Sequence, residues 1–109
     1  MRNPTFIVRQ GDVMVFAVSS LPKAVEPVAR ESGRVVLAHG EATGHCHAIK
    51  SEKAALFRDP KLNAMFLTVT GEAVALEHDE HGTIDIPPGN YQVVRQRSYE
   101  PEGIRQVQD

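Results

Sequence analysis

Short apolar runs, each closed by glycine, proline or a polar cluster, follow one another along this chain. After a stub at 6–8 they occupy residues 13–18, 34–38, 45–50, 54–58, 64–70, 73–78, 83–86 and 91–99. Valine, isoleucine, threonine and aromatic residues dominate them, the types that fit a pleated and half-buried surface. Thr83-Ile84-Asp85-Ile86 alternates as a strand with one wet face should. Val13 to Val18 is apolar throughout and reads as a buried strand. Gln10-Gly11-Asp12, Asp59-Pro60, Gly71-Glu72, His81-Gly82 and Pro87-Pro88-Gly89-Asn90 punctuate the runs, the last being the strongest turn signal. Residues 23–34 are polar and follow Pro22, with Pro27 and Gly33 among them, so they read as a loop with at most one helical turn. About eight short strands at intervals of roughly 8–12 residues predict an all-β barrel or sandwich. One β domain over residues 1–99 is expected, followed by a charged tail at 100–109.

Length and composition narrow the possibilities. A chain of 109 residues, 41% apolar and 24% charged, is one ordinary globular domain with a modest core. Aromatic residues make up 6% with no tryptophan, which argues against a stacking platform for single-stranded nucleic acid. A net charge of −2 supplies no basic field for long duplex nucleic acid. The single cysteine, Cys46, excludes an internal disulfide framework and fits a reducing compartment. Neither a signal peptide nor a run of about 20 apolar residues is visible, so a cytoplasmic protein without a membrane partner is expected. The terminal segments leave room for a homodimer.

The chemistry concentrates in two windows. His39, His45 and His47 lie close together around Gly40-Glu41-Ala42-Thr43-Gly44, and His78 and His81 bracket Asp79-Glu80. Imidazole titrates near neutral pH and is the commonest metal ligand, so such clustering marks a candidate site. His45 and His47, two residues apart on a strand, share one face, and the strand at 34–38 with that at 45–50 makes a hairpin with the histidines near its turn. Cys46 points the other way, into apolar surroundings where a thiol is inert.

At the glycine-flanked His-x-His the chain resembles the cupin family of small metal-binding β-barrels. Gly40, His45, His47 and Glu52 follow the order of that family's first motif, with one residue fewer between the glycine and the first histidine. Gly82, Pro87 and Gly89 loosely match its second motif, although Tyr91 and Gln92 stand where a third histidine is expected. The chain also looks like small uncharacterised bacterial and phage proteins with a Thr-Gly-His-x-His stretch, a likeness that implies no function. The cupin resemblance implies a transition metal, Zn, Fe or Mn, held by His45, His47 and either His81 or His78, with Glu52, Glu41 or Glu77 as the carboxylate.

The preferred reading needs no cofactor. The last strand places Tyr91, Val93, Arg95, Arg97 and Tyr99 on one face, where the guanidinium groups suit a phosphate or carboxylate. Beside histidines, this parts list matches acid–base cleavage of a nucleotide-like phosphodiester by a small hydrolase or lyase of nuclease type. His45 and His47 would be the acid–base pair, with His78 and His81 as further catalytic candidates. Thr43, Gly44, Arg95, Arg97 and Tyr99 would bind the anionic substrate. His47→Ala is then expected to remove turnover and leave the fold intact. The remaining alternative is a non-catalytic β binding module, in which the charged turns are solvated surface and the arginines guard a sheet edge.

Overall fold

The computed structural model describes residues 7–39 and 45–95. They form ten strands: β1 (Ile7–Gln10), β2 (Val13–Val18), β3 (Glu26–Pro27), β4 (Val35–His39), β5 (Cys46–Ile49), β6 (Ala54–Asp59), β7 (Ala64–Val69), β8 (Val74–Glu77), β9 (Ile84–Ile86) and β10 (Gly89–Arg95). Every pairing between them is antiparallel. One sheet runs β1-β2-β10-β7-β6-β3 and the other β4-β5-β8-β9. The two sheets face each other as a sandwich and do not close into a barrel. The 23–34 loop holds the two-residue β3 and a bridge between Glu31 and Arg34 in place of a helical turn. Among the described residues no helix is long and apolar enough to cross a membrane.

The core lies between the sheets and follows from strand alternation. Val13 and Val15, Tyr91 and Val93, Leu67 and Val69, and Leu56 point inward from the larger sheet. Val35, Leu37, Ile49, Leu76 and Ile86 meet them from the smaller one. Burying a side chain of this size stabilises the fold by about 1.5–3 kcal/mol relative to leaving it in water. The apolar run of β2 is buried on only one face. Its even positions, Met14, Phe16 and Val18, are half-buried on the outer side. There Phe16, Gln92, Phe66 and Phe57 form a row across four strands, so side-to-side contact along the sheet replaces a second layer.

Three local features decide where the functional side chains go. The β1–β2 connection is a two-residue hairpin turn, with Gln10 opposite Val13 and Gly11 first in the turn at a φ of 60°. That conformation is where glycine carries no Cβ penalty. In the β4–β5 hairpin, Val36 pairs with Ala48 but Ala38 with His47, so Leu37 is an extra residue in a bulge. Finally, the turn predicted over Pro87–Asn90 is shorter than its sequence implies. Gly89 and Asn90 already belong to β10, opposite Val69 and Thr68, and the buried Tyr91 hydroxyl donates back to the Pro87 carbonyl oxygen.

Candidate functional site

The site lies at one end of the sandwich, where the β1–β2 turn meets β5 and the end of β8. His47 is carried on the inward face of β5 beside Ile49, and it is 2% exposed. A side chain this polar and this buried needs a partner at each ring nitrogen. Its Nδ1 lies 2.9 Å from Gln10 Oε1, and its Nε2 lies 3.4 Å from Asp12 Oδ1. Gln10 is equally buried and donates its amide group to the carbonyl oxygens of Leu76 and Gly82, each at 2.9 Å. Asp12 Oδ2 in turn accepts from Arg95 Nε at 2.8 Å.

The other imidazoles gather on this buried ring. His78, just past β8, has its ring centroid 4.3 Å from that of His47 and 4.6 Å from that of His81. The His47 and His81 rings are 6.1 Å apart and within 12° of parallel. Gly11 sits against both rings: a Cβ there would come 2.6 Å from His81 Nε2 and 3.3 Å from His47 Cε1. A side chain at position 11 would therefore displace the exposed His81 ring. His45 approaches from the other side, with its ring 5.9 Å from that of His78 and its nitrogens 3.7 Å from Asp79 and 3.6 Å from Glu80. Those acids are mostly exposed, so their attraction to His45 is weak and screened.

Four of the five histidines thus converge, drawn from both windows, while His39 faces outward and pairs with Glu31 at 2.9 Å. Arg95 arrives from the facing sheet, because β10 places it opposite Val13, next to the turn that carries Asp12. Its expected role changes. The face shared by Tyr91, Val93 and Arg95 is the inner face of the sandwich, so two of the three are core residues. Arg95 is occupied with Asp12, and that pair is locally close to neutral. Thr43, Gly44, Arg97 and Tyr99 lie outside the described residues, as do Gly40 and Glu41. Cys46 is buried on the opposite face of β5 from His47, in a small cluster with Val36 and Ala48, and Arg34 Nη1 lies 3.4 Å from its sulfur.

Among the described residues the metal-ligand set does not assemble. Glu52 follows the far end of β5 and borders a separate cavity with Arg30 and Lys50, away from the histidines. Glu77 pairs with Lys50 at 3.5 Å. Among the described residues, no three histidine, cysteine, aspartate or glutamate side chains are placed to hold one ion. The donors among the described residues therefore do not form the centre that the cupin resemblance implies.

Electrostatics set the resting state of the cluster. Burial lowers the pKa of His47 below its ordinary 6.5, and the neighbouring His78 and His81 lower it further, against an opposing pull from Asp12. Burial alone would raise the Asp12 carboxyl, but the hydrogen bond and charge of Arg95 outweigh it and hold Asp12 below the usual carboxylate value. Both shifts make stability depend on pH in the same direction. Unfolded His47 takes up a proton near pH 6.5, before the folded residue does. Stability should therefore fall as the pH drops through that value, with a slope of up to about 1.4 kcal/mol per pH unit for one proton. Asp12 adds a second loss as the pH falls below its ordinary 3.8. Urea midpoints measured from pH 8 to 3 should show both limbs, and His47→Asn should flatten the first. Equal midpoints for the native protein at pH 7.5 and pH 5 would contradict this account.

Gln10, Gly11 and Asp12 hold the site together, yet as a sequence they read only as a break between strands. One signal was available. Val8 and Gln10 share one face of β1, and Val8 packs on the core, so Gln10 is a polar residue on the core-facing side. Such a residue has to find buried partners.

Residues 9–96 match the family described as a domain of unknown function (DUF8820), so the chain belongs to that family over most of its length. No curated protein and no solved structure matches it.

Proposed function

We propose that this member of the DUF8820 family is a small acid–base enzyme that cleaves an anionic phosphodiester, with His47 as the base and His81 as the acid. The observation that carries this reading is the pair of nearly parallel imidazoles, His47 and His81, with centroids 6.1 Å apart and the Cβ-less Gly11 against both. One ring is buried and held at Nδ1 by Gln10, with Asp12 facing its Nε2; the other is exposed. The two therefore differ in environment, as an acid and a base acting on one substrate must.

His47, whose pKa burial lowers, is neutral near pH 7 and can accept a proton from the attacking hydroxyl. Asp12 lies beside its Nε2 and would stabilise the imidazolium that results. His81, when protonated, would give its proton to the leaving oxygen. Because Asp12 and Arg95 offset each other, a single imidazolium is enough to balance the one negative charge of a phosphodiester. Arg95 then acts by holding Asp12, and substrate contact falls to the histidines. This replaces the His45 and His47 pair expected from spacing alone, since His45 turns toward Asp79 and Glu80.

The test is hydrolysis of a chromogenic phosphodiester and of cyclic nucleotides by protein kept in EDTA. The native protein should turn one of them over, with a bell-shaped pH dependence. His81→Ala, at an exposed position, should fold normally and lose about 10²–10⁴-fold in kcat. Turnover that stops in EDTA and returns with zinc would transfer the site to metal chemistry. No turnover on any of these probes would end the phosphodiesterase reading.

A further inference from the structure

We propose that Gln10 is the positioning residue of the histidine cluster: it holds His47 with its proton on Nδ1, leaving the Nε2 lone pair facing Asp12. The argument starts from the amide, whose two ends look alike in shape but differ in hydrogen bonding. Gln10 Nε2 lies 2.9 Å from two carbonyl oxygens, those of Leu76 and Gly82. Carbonyl oxygens only accept, so the NH₂ group must face them. The third contact, 2.9 Å from His47 Nδ1, is therefore made by Oε1, which also only accepts. Nδ1 must carry the proton.

Neutral imidazole has one N–H, so Nε2 is left bare. The 3.4 Å between Nε2 and Asp12 Oδ1 is longer than a charge-assisted hydrogen bond. Without Gln10 the preference would reverse. A proton on Nε2 would gain the Asp12 carboxylate as acceptor, and Nδ1 would be the bare nitrogen, turned away from Asp12. Gln10 prevents this by using main-chain groups from both ends of the β8–β9 segment. The charged and titratable groups around His47 are Asp12 with Arg95 behind it, His78 and His81.

The tautomer assignment stands on the hydrogen bonds alone; its catalytic meaning rests on the acid–base reading above. In that reading the bare Nε2 is the base, and a proton parked there would block it.

Long-range ¹H–¹⁵N NMR on histidine-labelled full-length protein at pH 8 reads the tautomer directly. The native protein should show His47 with its proton on Nδ1 in at least about tenfold excess, since a buried bond of this kind is worth more than the intrinsic tautomer preference. Gln10→Met, close in shape but without an acceptor, should move the proton to Nε2. An Nε2–H signature in the native protein overturns the proposal, and that measurement needs no variant to fold. A His47 proton that stays on Nδ1 in folded Gln10→Met overturns it too. If the tautomers behave as stated but no phosphodiester is turned over, Gln10 keeps its positioning role and the acid–base reading falls alone.

Discussion

His47→Ala is expected to abolish turnover and also to lower stability by about 2–5 kcal/mol, the range for truncating a large buried side chain to alanine. The imidazole is 2% exposed, so its removal leaves a cavity. It also strips Gln10 Oε1 of its donor, and an unsatisfied buried acceptor adds to the loss. The expectation from sequence, that this variant leaves the fold intact, does not survive the burial of the ring. His47→Asn separates the two effects. An asparagine amide nitrogen can occupy the place of Nδ1 and donate to Gln10, but it has no base at the position of Nε2. It should keep most of the stability lost in His47→Ala and still show no turnover. Urea titrations of both variants, beside kcat measured on the same preparations, check this. Activity in His47→Asn within a few-fold of native would remove His47 from the chemistry.

The second large effect lies in the core. Leu67 is 0% exposed and sits on β7 between Leu56 of β6 and Tyr91 of β10. Leu67→Ala should cost about 2–5 kcal/mol. A domain of this size has roughly 5–15 kcal/mol in all, so the variant should unfold at much lower urea or temperature. The exposed Glu72→Ala, in the turn after β7, should stay within about 0.5 kcal/mol of native. A Leu67→Ala variant within 1 kcal/mol of native would mean that this part of the core is looser than its burial indicates.

The contrast between these two residues shows what is local and what is not. Leu67, Val13, Val15 and Val93 declare themselves in sequence, because β periodicity and side-chain apolarity depend only on near neighbours in the chain. The all-β class and most strand positions follow from that alone. So does the histidine hairpin, since β4 and β5 are joined directly and His45 and His47 sit at fixed offsets within it. Burial of Cys46 away from the histidines follows from the same alternation.

What joins these pieces depends on contacts between residues far apart in sequence. Whether His78 or His81 would reach the hairpin was open in the sequence, and the β5–β8 pairing brings both. Arg95 reads as a candidate anion binder until β10 is seen to pair with β2, which ties its guanidinium to Asp12. Glu52 follows His47 at the spacing of a motif, but the strand carries it away from the cluster. Gln10 was hardest to find, because its two amide acceptors belong to residues 66 and 72 positions away. A hydrogen bond has no sequence signature when its partner is a main-chain carbonyl that every residue possesses. The sequence by itself therefore determined most of the strands, the apolar core and the two windows of histidines. Only the packing of one sheet on the other decided which imidazole is buried, which nitrogen carries its proton and which charge stands beside it.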